Sequence, residues 1–257
     1  MNLGRILTIT ANVFREVIRD RILYLAGLYA LLMVMAWRLL PEISAATETK
    51  ILLDLGLAAM QLIGLVIAIF VGTGLVNKEI EKRTVLVMIA KPISRLEFIV
   101  GKHFGLSAVL AVLVAVMTVV FLAIASLAKA PFVLPNILAS SFFLWMQLSL
   151  ITAVAIAFGV FTSSLLATLL TFGVFLMGSF SANLVALGAQ SKNPAIETFT
   201  RTLYLVLPDL SRLDLKNQAV YSKLPAIDLL FGNAGYGLLY ILVLLMLASI
   251  IFSTREF

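Results

Sequence analysis

The chain has 257 residues, 62% of them hydrophobic and 12% charged, with a mean hydropathy of +1.10 and a net charge of +6. Soluble domains carry roughly 25% charged residues, so the composition excludes a soluble globular protein and defines an integral membrane protein built as one polytopic domain over 1–257. There is no cysteine, which excludes disulfides, thiolate catalysis and cysteine-ligated metal, and the positive balance reads as membrane-anchoring charge rather than as a nucleic-acid surface.

Residues 1–20 do not form a signal peptide: arginines recur at 5, 15 and 19 and no continuous apolar core precedes a cleavage site. Leu3, Ile6, Leu7, Val13, Phe14 and Val17 fall on one side of a 3.6-residue period, with Arg5, Thr8, Asn12, Arg15 and Arg19 on the other. This predicts an amphipathic helix lying in the membrane interface, a pattern that also suits a helix packed on its own subunit. The first span is expected at 22–37, with Arg38 snorkelling to the far interface and Pro41 stopping the helix.

The second span is expected at 55–76 and the third at 104–128, both free of Asp, Glu, Lys and Arg. About 20 helical residues cross the ~30 Å hydrocarbon core. Between these spans lies a charged island, 77–103, too long and too patterned for a spacer. It holds six basic residues (Lys78, Lys82, Arg83, Lys91, Arg95, Lys102) and the acidic residues Glu79, Glu81 and Glu97. Pro92 disfavours a helical Lys91, and Ser94 is placed to cap a helix starting near Arg95, with Glu97 at its positive end. The apolar run from Val85 to Ile89 is unusual for a solvated loop and points to burial against a partner or the interface.

From Ala130 to Ser191 the chain carries no charged residue. Pro131 and Pro135 mark an entry turn, and Phe161-Thr162-Ser163-Ser164 supplies a polar break. The fourth and fifth spans are therefore expected at 137–161 and 165–188. A polar segment, 190–228, follows, with a possible amphipathic helix (Ile196, Phe199, Leu203, Leu207) ended by Pro208. The sixth span is expected at 229–254. The fold class is an all-α membrane protein of six spans with an amphipathic amino-terminal interfacial helix. Lysine and arginine concentrate in 5–21, in the island and at Arg255, which places both termini and the island in the cytoplasm and 190–228 outside.

The chemistry available to such a chain is narrow. His103 is the single histidine, without a second one to share a metal, and reads as an interfacial residue beside Lys102. No H-E-x-x-H occurs, and no Ser/His/Asp set can be assembled within the membrane. Gly101-Lys102 lacks the rest of a phosphate-binding loop, since Leu96 stands at the first glycine and His103 at Ser/Thr. Arg38, Glu42, Asp54, Lys129 and Asp228 all fall at predicted span ends, which argues against a proton-coupled transporter. Gln61, Gln147 and Asn183 are uncharged polar residues within spans that either line a pathway or hydrogen-bond between helices.

The island resembles the first cytoplasmic loop of type 2 ATP-binding-cassette (ABC-2) exporter permeases: Glu79-x-Glu81-x-Arg83-Thr84, Lys91-Pro92-Ile93-Ser94-Arg95, then Phe98 and Gly101-Lys102. The six spans, the amphipathic start, the long segment before the last span and the ending Phe252-Ser253-Thr254-Arg255-Glu256-Phe257 extend the resemblance along nearly the whole chain. Residues 208–214 are similar to a subgroup that includes permeases beside copper-enzyme maturation genes. The resemblance implies a non-catalytic transmembrane subunit that pairs with a second permease chain among membrane lipids and docks a separate ABC ATPase. ATP and Mg would sit on that partner, with no cofactor in this chain. It implies coupling to the ATPase through Glu79, Glu81, Arg83, Thr84, Lys91, Pro92, Ser94 and Arg95, residues 1–20 as a connecting helix, and a substrate route along the second and fifth spans. The other class compatible with the same docking loop is a non-transporting membrane scaffold or assembly factor.

Overall fold

The computed structural model describes residues 2–20, 22–43, 47–81, 94–191, 193–221 and 223–254, and every regular element among them is helical. In chain order the α-helices are α1 (Leu3–Arg19), α2 (Tyr24–Ile43), α3 (Glu48–Glu81), α4 (Arg95–Leu127), α5 (Leu134–Phe161), α6 (Ser164–Ser179), α7 (Ser181–Gln190), α8 (Pro194–Val206), α9 (Lys216–Val220) and α10 (Ile227–Thr254), with a 3-10 turn at Leu210–Leu213 before α9. Five of them, α2, α3, α4, α5 and α10, are long and apolar enough to cross a membrane.

The centre of the bundle is α5. It is apolar on every side, and 89% of its most hydrophobic window is buried inside the chain, the signature of a helix enclosed by others rather than one facing lipid. Around it stand α3, α4, α6 and α10. Small residues let α3 and α5 approach closely. A Cβ on Gly159 would lie 3.1 Å from the Thr73 carbonyl oxygen, and one on Gly72 would lie 2.9 Å from the Ala155 Cβ. Without a hydrophobic drive between spans, such close packing is the main source of helix association.

Local chemistry sets the helix ends. Ser94 accepts from the Glu97 N–H at 3.1 Å, the cap expected from the sequence, and Glu97 accepts in return from the Ser94 N–H at 3.0 Å, which closes a capping box at the start of α4. At the other end of α4, Lys129 takes φ 52°, and the Ala130 and Lys129 N–H groups return to the Ala125 and Ser126 carbonyls. That satisfies the last carbonyls in the Schellman manner. Pro135 sits in the first turn of α5, where its missing N–H has no helical partner to lose.

Two boundaries differ from the sequence reading. Pro41 lies inside α2, which runs on to Ile43; so close to the helix end, proline removes little of the hydrogen-bond ladder. The stretch expected as a fifth span is divided at Phe180. Its first part, α6, has 16 residues, about 24 Å at 1.5 Å each, short of the ~30 Å core. Contacts with a distant segment end it: a Cβ on Gly178 would lie 2.5 Å from the Pro208 carbonyl oxygen, and the Ser181 hydroxyl donates to Asp209 at 2.8 Å. Meanwhile α1 buries Ile6, Val13 and Val17 and packs along the first half of α4, leaving Leu3 and Leu7 exposed.

Candidate functional site

The end of α3, the start of α4, the end of α10 and the start of α1 converge at one end of the bundle, where the charged island begins and closes. Glu97 is the node. Its carboxylate is buried; one oxygen accepts from the Asn2 N–H at 2.6 Å and the other from the Ser94 N–H, while the Arg5 guanidinium stands 3.9 Å away. One carboxylate thus meets orphan N–H groups at the starts of both α1 and α4, where the helix dipoles favour negative charge. Asn2 itself caps α1 by accepting from the Gly4 N–H at 3.0 Å.

Lys102, one turn on, is 5% exposed. Its ammonium donates to Glu79 at 2.5 Å and lies 5.4 Å from the centre of the Phe98 ring. Phe98 stacks on Phe252 at 5.6 Å between ring centres. The Arg95 guanidinium donates to the Phe252 carbonyl at 3.2 Å and to that of Ser253, neutralising carbonyls at the end of α10. Beside these groups opens a cleft of about 540 Å³ between α1 and α4, edged by Arg5, Thr8, Asn12, Glu16, Glu79 and Lys102.

Of the residues the island contributes, Glu79, Ser94 and Arg95 are therefore brought together around the α3, α4 and α10 ends. Glu81 is the last residue of α3. Arg83, Thr84, Lys91 and Pro92 lie outside the described residues, as does the run from Val85 to Ile89. His103 is not at a wetted interface. It is buried against α5, its Nε2 3.0 Å from the Ser149 carbonyl oxygen, because α4 begins at Arg95 and has already entered the bundle at that point.

Deeper in the bundle the three uncharged polar residues separate. Gln61 donates to Gln147 at 3.0 Å, joining α3 to α5, and Gln147 donates to the Leu210 carbonyl at 3.5 Å. Asn183 is exposed on α7, away from them. The Lys216 ammonium donates to Gln61 and pairs with Asp214 at 3.2 Å. Gln61 lies six residues inside the expected start of its span, about 9 Å. The spans themselves carry no charge there, but residues 208–220 fold back against them and bring a lysine whose four-carbon stem reaches a group that span counting leaves neutral. The amides gave some warning of this, the lysine none.

Asp209 fastens that returning segment. It accepts from the Ser181 hydroxyl at 2.8 Å, the Ser211 hydroxyl at 2.5 Å and the Arg212 guanidinium at 3.1 Å, while its N–H donates to the Tyr236 hydroxyl at 2.8 Å. Burial pushes its carboxyl up, yet the hydrogen bonds from Ser211, Ser181 and Arg212 outweigh that and hold it below the usual carboxylate range. A carboxylate depressed in this way stabilises the fold above its unfolded pKa of about 3.9, and the contribution is lost as pH falls through the lower folded value. Hydrogen-exchange protection of 208–220, corrected for the intrinsic rate, should hold at pH 5 and fall below about pH 4. Asp209→Asn should lower it at neutral pH and abolish the acid step; a variant matching the parent at both would disprove the anchoring role.

These features define a multi-pass helical membrane protein: an apolar bundle of long helices with polar pairs such as Gln61–Gln147 buried inside it. The family model for the ABC-2 family transporter protein matches residues 7–257, and the chain belongs to that family. It is accordingly a membrane permease component of an ABC transporter, of a family whose members associate with an ABC ATPase component. No curated protein matches the chain.

Proposed function

We propose that this chain is the permease subunit of an ATP-driven exporter, working as a pair of permease chains, each docked to a separate ATPase that carries ATP and Mg. The docking surface is the charged end of the bundle, in the cytoplasm together with both termini. There Glu79, Ser94 and Arg95 frame a surface completed by Glu81, Arg83, Thr84, Lys91 and Pro92, and α1 is the connecting helix beside it. The observation that carries this reading is the buried carboxylate of Glu97, which joins the starts of α1 and α4. A push on the island would be passed through it to α4 and to the helix laid along α4, rather than dissipated in a loop. A chain with no catalytic set of its own needs such a mechanical input from outside.

The test is purification from native membranes. The chain should copurify with an ABC ATPase, and a reporter fused after Phe257 should read cytoplasmic while one inserted near Asn217 reads external. In proteoliposomes the pair should move substrate only with ATP. An ATPase that binds and hydrolyses without any transport would favour the scaffold reading, and reporters on the same side would refute the orientation.

A further inference from the structure

A second polar feature lies at the other end of the molecule, between α5, α6 and the returning segment. It is a cavity of about 260 Å³ lined by Gln147, Ser179, Ser211, Asp214, Asn217 and Gln218. Its wall is amide and hydroxyl in a chain that is otherwise strongly apolar. Polar surface gathered against a buried apolar helix is costly to maintain unless its groups are paired or hold a ligand.

Most of the wall is already committed. Gln147 accepts from Gln61 and donates to Leu210, and Ser211 donates to Asp209. Asp214 accepts from the Lys216 ammonium at 3.2 Å and from the Lys216 N–H at 3.1 Å, so its charge is compensated. Two buried atoms are left over: the Ser179 hydroxyl and the Gln218 side-chain amide oxygen have no hydrogen-bond partner among the described residues. Together they offer a donor and an acceptor, facing a space with no uncompensated charge. A buried polar atom is normally satisfied by protein or by ordered water, and two such atoms on residues lining one cavity give a polar occupant something to bind.

We propose that this cavity is a binding site for an uncharged, hydroxyl- or amide-bearing group, either a free solute such as a sugar or the neutral headgroup of a lipid. An anion would face the Asp214 carboxylate, and a cation would have to displace Lys216 from it. The uncharged group instead donates to Gln218 and accepts from Ser179. The cavity borders α6, and its wall includes Gln147 of α5, which is bonded in turn to Gln61 of α3, so an occupant would sit against the central helix of the bundle. Its role as a substrate site rests on the permease reading, but binding itself does not.

Because the chain has no native cysteine, Asn217→Cys is a unique reporter at the exposed rim of the cavity. Its modification by a small, membrane-impermeant thiol reagent would be followed on the full chain in nanodiscs, without ATP or ATPase. Glucose should slow the reaction by the factor 1 + [L]/Kd, or a neutral glycolipid in the disc should do so relative to phosphatidylcholine alone; the first result identifies a solute, the second a headgroup. Adding Ser179→Ala and Gln218→Met should remove the protection while leaving the unprotected rate unchanged. Protection by neither probe, equal protection by sulfate or tetramethylammonium, or protection that survives the double change would overturn the proposal. Loss of ATPase copurification with protection intact would instead count against the permease reading alone.

Discussion

Gly105→Leu is expected to release α1 from the bundle and to uncouple the protein from its ATPase. Gly101 and Gly105 are one turn apart on the same face of α4, and α1 crosses directly over them. A Cβ at Gly105 would stand 2.6 Å from the Val13 Cβ and 3.0 Å from the Thr10 carbonyl oxygen; one at Gly101 would stand 2.8 Å from the Ile9 Cβ. These are branch-point and backbone atoms, not the free ends of flexible chains, so the helix itself must move. Overpacking of this kind costs about 1–3 kcal/mol, and displacement also forfeits the burial of Ile6, Val13 and Val17, each worth about 1.5–3 kcal/mol when complete. Reactivity of Val13→Cys toward a thiol reagent should rise sharply in the Gly105→Leu background, and ATPase copurification should fall. Gly173→Ala, where a Cβ meets nothing within 4 Å, is the control and should leave both unchanged. An unreactive Val13→Cys in the Gly105→Leu protein would show that the crossing is not as close as described.

The second large effect is expected at the Lys102–Glu79 pair. The Lys102 side chain is 6% exposed and that of Glu79 22%, so neither charge is freely screened by water. Removing one member of a buried pair costs about 3–5 kcal/mol because the other charge stays desolvated, whereas an exposed pair is worth only about 0–1 kcal/mol. Glu79→Lys sets a second ammonium against Lys102 and should lower thermal stability and protein level as well as coupling. Combining it with Lys102→Glu restores opposite charges across the same gap and should recover much of the stability. Equal stability of Glu79→Lys and the parent would mean that the pair is solvated and contributes nothing. Failure of the swap to recover stability, with the single change damaging, would mean that surrounding groups fix the direction of the pair.

Much of this architecture was legible in one dimension because the bilayer imposes a strong rule on sequence. Charge is excluded over the length of a span, so 55–76, 104–128, 137–161 and 229–254 announce themselves, and each falls within a helix long and apolar enough to span, save Ala128, which caps the end of α4. The cap at Ser94 was legible for a different reason. Capping is a contact between residues three apart, and Ser94 and Glu97 satisfy it with no help from the fold. The amphipathic period of α1 was equally plain, but periodicity gives a face and not what covers it. The glycines of α4 take up part of that face.

What only the tertiary structure decided are the contacts made across long sequence separation. No local signal relates Asn2 to Glu97, Arg95 to the end of α10, or Lys216 to Gln61. Hydropathy treats 165–188 as one span because it sums transfer energies, yet Gly178 and Ser181 end α6 against Pro208 and Asp209. The same summation counts Lys216 as lying outside the membrane, since it stands in a polar stretch. A lysine's position in the sequence does not limit where its ammonium goes: residues 208–220 fold back onto α3 and α5, and the charge comes to rest against a glutamine within a span. Composition sets which residues the bilayer can accept; where the polar ones meet is determined by the packing of helices around α5.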